Sequence, residues 1–278
     1  MTPRLGKHPV VLVTGATDGI GKETALELAR QGARVLVHGR RPDRLDEVRA
    51  AIVATGGEAL EPLRGDLASL AGVRAIATEL ERRGVRLDVL LNNAGIYARE
   101  REESADDFEL TMAVNHFAPF LLTHLLLAGD AGAGLQRIVN VSSVAHTRGR
   151  IDFADLRGTR HPFDHYGAYA TSKLANVLFT VEMAHRLAPR GVTVNALHPG
   201  VVSTKLLTEG FQMKGGDTLQ TAAATSVMLA IDPLVEGVSG RYFANRKEAT
   251  MNPVARDAAL ARRFYEESAA LVDVAPVG

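Results

Sequence analysis

The chain has 278 residues, enough for one large α/β domain with a buried core, and its 32 Lys and Arg balance 32 Asp and Glu. That balance supplies no one-signed field for nucleic acid or an anionic membrane surface, so the expected partner is a small, weakly charged molecule. The absence of cysteine excludes disulfides, thiolate zinc sites and a cysteine nucleophile, and it accords with a reducing, cytoplasmic setting.

Residues 1–9 carry charge and lead into a short apolar run at 10–13 that Thr14 and Gly15 end, a pattern of neither a signal peptide nor a membrane anchor. From there β-branched runs at 10–13, 33–37, 87–91, 137–141 and 192–197 alternate with Ala/Leu/Arg segments of helical period, first at 22–31 and 42–54. Continuous apolar strands need cover on both faces, so the pattern predicts a doubly wound parallel α/β sheet in a single domain over 1–278. Gly32, Gly84 and Gly191 each stand between a helical segment and a strand, where a left-handed helix cap is expected. The stretch 117–127, interrupted by Pro119, Thr123 and His124, falls short of the roughly 20 residues of a spanning helix and reads as a buried one. Two irregular stretches, 148–167 and 203–218, break the rhythm. Loops at the C-terminal ends of parallel strands border the ligand crevice, so both are expected to cover a site, the second as a substrate lid.

The chemistry-bearing segments follow the strands. After the first comes Thr14-Gly15-Ala16-Thr17-Asp18-Gly19-Ile20-Gly21, opening a helix at Lys22. Its glycines permit a tight turn and close approach to a pyrophosphate, whose oxygens the free N–H groups at the helix start can bind. After the second strand stand Gly39, Arg40 and Arg41; then come Asp66-Leu67, Asn92-Asn93-Ala94-Gly95, Val114-Asn115-His116-Phe117 and a strand running into Ser142-Ser143. Tyr169 and Lys173, at i and i+4 in a segment of helical period, leave one face together. Five tyrosines and six lysines would produce about 0.1 such pairs by chance. Pro199-Gly200-Val201-Val202-Ser203-Thr204 closes the series. His161 and His165 flank Asp164, but Pro162 keeps them off one helical face and no third ligand is evident, so no metal is expected.

The order Thr-Gly-x-x-x-Gly-x-Gly, with the later segments in sequence, resembles the classical short-chain dehydrogenase/reductase family over nearly the whole chain. Asn115-His116-Phe117, Ser142-Ser143-Val144-Ala145-His146, the run from Tyr169 to Asn176 and the long interval between Ser143 and Tyr169 look like its retinol dehydrogenase-like branch. The resemblance implies a Rossmann-type fold and an oxidoreductase moving a hydride between nicotinamide and a carbonyl or alcohol. It makes Tyr169 the proton donor or acceptor, Ser143 (with Ser142 as the alternative) the polariser of the substrate oxygen and Lys173 the ribose ligand. Asn115 would hold a water of the proton relay. The Lys173 ammonium is expected to lower the Tyr169 pKa from its ordinary value near 10.

By the same resemblance Gly15, Thr17, Asp18, Gly19, Ile20 and Gly21 hold the pyrophosphate, Asp66 and Leu67 the adenine, and Asn93, Ala94 and Gly95 the adenosine. Pro199, Gly200, Val202 and Thr204 would meet the nicotinamide carboxamide. Gly39 stands where NAD enzymes place a carboxylate for the adenosine ribose, and Arg40 and Arg41 follow it, which favours NADP through guanidinium–phosphate contacts. Asp18 departs from many NADP-preferring relatives, which carry a basic residue inside the glycine turn. Leu206, Leu207, Phe211 and Met213, with Tyr97, Val144 and His146, form the expected wall for an apolar carbonyl or alcohol. Animal retinol dehydrogenases usually carry an N-terminal membrane anchor, which is not expected here, so retinoid turnover is not carried over. Relatives often pair through the helices that here hold 117–127 and 168–187, making a homo-oligomer one expectation. The rivals are a non-catalytic NADP-binding regulator and an extended-branch epimerase or dehydratase, the second needing a larger C-terminal substrate region.

Overall fold

Val10–Val13 (β1), Arg34–Gly39 (β2), Glu58–Ala59 (β3), Leu63–Arg64 (β4), Val89–Asn92 (β5), Arg137–Val141 (β6), Thr193–His198 (β7), Tyr242–Ala244 (β8) and Lys247–Glu248 (β9) form one sheet in the computed structural model, which describes residues 5–277. The strand order is β3-β2-β1-β5-β6-β7-β8-β9, with β4 also pairing β2. All pairings are parallel except β8 with β9. The sequence-based strands are therefore found, with β3, β4, β8 and β9 added as short edge or return pieces.

Side chains alternate across this sheet and divide the core in two. Val11 and Val13 face Gly19–Arg30 (α1), Pro42–Ala54 (α2) and Leu219–Ile231 (α7), whereas Val10 and Leu12 face the other layer. That second layer holds Leu70–Arg82 (α3), Leu110–Met112 (α4), Ala118–Ala128 (α5), His165–Leu187 (α6) and Ala258–Leu271 (α8). Gly32, Gly84 and Gly191 take φ of +89°, +61° and +70°, the left-handed conformation expected where the chain turns from helix to strand.

The apolar stretch at 117–127 is buried as expected, but Pro119 does not cut it. Helix runs from Leu110 to Ala128, 19 residues, with a π turn at Ala113–Phe117 joining α4 to α5. Pro119 sits in the first turn of α5, where a missing N–H is tolerated. This helix is long and apolar enough to cross a membrane, but 89% of its most apolar 18 consecutive residues are buried inside the protein, as the central helix of the second layer.

The stretch 148–167 closes on itself. The Asp155 carboxylate accepts from the N–H groups of Thr159, Arg160 and His161, and the Arg101 guanidinium ties the Thr159 and His161 carbonyls. This folding draws it away from the main cavity, to which it contributes only Tyr166. The expectation that it covers the site is thus corrected, whereas 203–218 does border the cavity.

Candidate active site

A cavity of about 660 Å³ opens along the C-terminal ends of β1, β2, β5, β6 and β7. At its base Gly15 has φ +63° and Gly19 φ +54°. A Cβ on Gly15 would stand 2.8 Å from Ala94 Cα, and one on Gly21 2.4 Å from the Gly15 carbonyl, so only glycine allows this turn to nest against the 92–95 turn. The two turns are tied. Asn93 Nδ2 donates to the Thr14 carbonyl at 2.8 Å, and Thr14 Oγ1 accepts from the N–H groups of Asn93 and Ala94. His38, unremarked in the sequence, accepts from Gly15 N through Nδ1 at 3.4 Å. Burial pushes its pKa down to about 4, so the ring stays neutral and able to accept.

Thr17, Ile20, Arg40, Asp66 and Leu67 line the outer end of this cavity. Arg41 does not: its guanidinium is bound to Asp43, with Nε donating to Oδ1 at 3.2 Å, and it lies outside the lining. A Cβ on Gly39 would meet Thr17 Cγ2 at 2.4 Å, so the Thr17 methyl occupies the space from which a ribose-binding carboxylate would start. Asp18 caps α1 by accepting from Gly19 N at 2.8 Å and pairs with Lys205 at 3.4 Å across the cleft. Burial is the largest single influence on its carboxyl and raises it, but the capping bond from Gly19 N, Lys205 and Arg44 together outweigh burial and hold the carboxyl below the usual range. Lys205 brings the basic charge that the glycine turn lacks; nothing in the sequence marked a residue so distant as its partner.

At the inner end stand Ser143, Tyr169 and Lys173, all buried and all lining the cavity. Of the two serines, Ser142 Oγ donates to the Lys173 carbonyl at 2.8 Å, while Ser143 lies beside the Tyr169 phenol. Lys173 Nζ donates to the Val141 carbonyl at 3.2 Å and has no other hydrogen-bond partner among the described residues, leaving its remaining protons to the cavity. Asn115 stands behind the lining in the π turn, accepting from Ile96 N at 2.7 Å and donating to Ser172 Oγ at 3.0 Å. Its own carbonyl lacks the α-helical donor four residues on, because that residue is Pro119. A Cβ on Gly95 would lie 3.3 Å from Lys173 Nζ and 3.4 Å from Asn115 Oδ1, so glycine lets this turn pass between them.

One electrostatic expectation is corrected. Burial pushes the Tyr169 phenol up to about 12, only partly offset by the Ser143 hydroxyl, and burial also lowers Lys173 to about 8. Desolvation dominates at both groups, and Lys173 Nζ stands 5.5 Å from the Tyr169 ring centroid.

Pro199, Gly200, Val202 and Thr204 line the wall beside this triad, followed by Lys205, Leu206, Leu207, Phe211 and Met213. Val144 joins them, but two expected wall residues do not. His146 is buried beneath the wall, its Nε2 accepting from Asn252 N at 3.1 Å, and Tyr97 lies behind Phe211 at 4.0 Å between ring centroids. His161 and His165 are directed to different partners, Asp152 and Tyr97.

A glycine cradle leading to a serine, tyrosine and lysine at the strand ends defines a nucleotide-dependent oxidoreductase of the short-chain type. The family model for short chain dehydrogenase matches residues 9–215, and the chain belongs to that family. It is 42% identical to retinol dehydrogenase 13 of Mus musculus over 95% of this chain and 84% of that protein. Among solved structures it is similar to an uncharacterized protein from Mycobacterium paratuberculosis, with TM-score 0.80 and 32% identity over 98% and 96% of the two chains. It also resembles the landomycin C-6 ketoreductase LanV, crystallised with NADP and rabelomycin, with TM-score 0.65 and 28% identity over 87% of this chain and 97% of that one.

Proposed function

We propose that this protein reduces the carbonyl of an apolar small molecule with NADPH, and oxidises the corresponding alcohol with NADP, in the cytoplasm. The observation that carries the reading is the convergence of Ser143, Tyr169 and Lys173 at the inner end of a cavity whose outer end is a glycine cradle beside Arg40. The residues fit a dinucleotide: Gly15 and Gly21 leave no room for a Cβ, and the start of α1 presents N–H groups to the cavity. The nicotinamide, when bound, supplies or accepts the hydride.

The chain's own residues do the rest. Negative charge growing on the substrate oxygen is met by the Ser143 hydroxyl and by the Tyr169 hydroxyl, which gives up its proton. The Lys173 ammonium, buried one helical turn from Tyr169, supports the phenolate left behind, and Asn115 holds the water that returns a proton to Lys173. Arg40 at the rim binds the 2′-phosphate, and the pairing of Arg41 with Asp43 leaves that task to Arg40 alone. The apolar side chains Val144, Leu206, Leu207, Phe211 and Met213 select an apolar substrate. The similarity to the ketoreductase LanV, which holds NADP, supports this choice of reaction and cofactor.

The test is titration with NADPH and NADH, followed by loss of reduced-nicotinamide absorbance against a panel of apolar ketones and aldehydes. Oxidation of NADPH that falls by about 10²–10⁴-fold in Tyr169→Phe is the expected result. Turnover confined to small charged substrates, or NADPH binding without any turnover, would overturn the reading.

A further inference from the structure

We propose that Tyr97 is a positioning residue that docks the 203–218 loop over the catalytic tyrosine, and that His165 holds Tyr97 in place for this task. The inference rests on the site assignment just made and adds to it what governs substrate access.

The loop is pinned at its base and docked at its tip. At the base Val202 bridges to Asp217, Val201 N donates to Asp217 Oδ2 at 2.6 Å, and Gly215 N donates to Ser203 Oγ at 2.9 Å. At the tip the Phe211 ring lies 4.0 Å from the Tyr97 ring at 39°, and Gly210 packs so closely that a Cβ there would be 3.1 Å from Tyr97 Cδ1. Phe211 then presents an edge to Tyr169, 5.1 Å away at 84°, so the docked loop covers the phenol.

Tyr97 is suited to hold that tip. Its neighbour Ile96 is gripped on both backbone groups by Asn115. Its hydroxyl shares a 2.5 Å hydrogen bond with Nδ1 of His165, the first residue of α6, and its ring lies 5.4 Å from Tyr169. Tyr97 therefore links the catalytic helix to the loop without entering the cavity. An apolar substrate must fit beneath Phe211, and the Tyr97–Phe211 contact sets how firmly that roof is held.

Two readouts test this. Tyr97→Ala is expected to raise KM for the carbonyl about 10-fold with kcat within about two-fold, and Phe211→Ala to raise KM alike, with the double variant no worse than either single one. Tyr97→Phe, which keeps the ring and loses the hydrogen bond, and His165→Ala should each raise KM by about 3-fold, between wild type and Tyr97→Ala, and equal values near wild type would overturn the part given to His165. Trypsin cleavage after Lys205 or Lys214 should be about 10-fold faster in Tyr97→Ala than in wild type, with cleavage elsewhere unchanged. The second readout needs no turnover, so it separates failure of the docking role from failure of the reductase assignment. Unchanged loop proteolysis in Tyr97→Ala would overturn the proposal, as would a loss of kcat resembling that of Tyr169→Phe.

Discussion

Gly39 ends β2 beside the adenosine end of the cavity, and the side chain it lacks would have to share space with the Thr17 methyl. Changing the cofactor preference therefore takes two residues. Gly39→Asp alone is expected to destabilise the protein by about 1–3 kcal/mol through overpacking, since β-branched Thr17 is stiff, and to weaken both cofactors. Adding Thr17→Ser, which deletes Cγ2 and keeps the hydroxyl, should restore the melting temperature and shift preference toward NADH. Thermal melts and cofactor titrations of both variants check this. At the other end of the cavity, Lys173 titrates near 8 while Tyr169, near 12, stays protonated throughout the working range. Raising the pH through 8 removes the ammonium charge, so kcat/KM for reduction should fall above about pH 8 and hold below it; a profile flat to pH 9.5 would contradict the role given to Lys173. The glycines, Ser143, Tyr169 and Lys173 were legible because a residue type is required at a fixed spacing. The burial that raises Tyr169, the Arg41–Asp43 pairing and the approach of Lys205 to Asp18 are properties of tertiary packing, which spacing does not encode.

At the scale of elements, α5 and its π turn carry two imidazoles into an aromatic layer against α8. His116 meets Phe264 at 5.0 Å between centroids and Ser268 Oγ at 3.3 Å, while His124 shares a 2.7 Å hydrogen bond with the Tyr265 hydroxyl. Burial lowers His116 to about 3 and His124 to about 4. The unfolded chain binds protons on both near pH 6.5 while the folded one resists, so their contribution is present above 6.5 and lost as pH falls through 4 toward 3. The melting temperature should drop between pH 7 and pH 4, and His116→Leu should flatten that slope, which differential scanning calorimetry would measure. Strands β1, β2, β5, β6 and β7 could be read because they are buried on both faces and so appear as unbroken apolar runs. The π turn could not, since it reflects how α4 meets α5 rather than any residue pattern, and Leu110–Ala128 consequently looked shorter in the sequence than it is. The 148–167 stretch misled for a related reason: irregularity marks a loop, but the side chain that folds it away, Asp155, is visible as such only in the structure.

For the molecule as a whole, α8 lies on the layer formed by α5 and α6, the helices through which relatives were expected to pair. Its Phe264 and Tyr265 are fully buried there, and the Arg186 guanidinium of α6 stacks 4.1 Å over the Tyr265 ring. α8 occupies part of the face that α5 and α6 would offer a second copy, and on that ground light scattering is expected to find a monomer near 29.7 kDa at micromolar concentration. A stable dimer would mean that another face associates.

The placement of α8 also sets an order of events during synthesis. Arg74 donates to the Val272 and Asp273 carbonyls, His116 meets Ser268 and Tyr265 accepts from Val277 N, so contacts of the second layer span separations as large as 199 residues. The other layer is complete once β8 has emerged, whereas His116, Phe120 and His124 stay uncovered until residue 272 has left the ribosome. Each nascent chain thus passes through an interval in which its most apolar helix has no roof, and that interval, rather than any weakness of the finished fold, is where a chaperone would find something to hold.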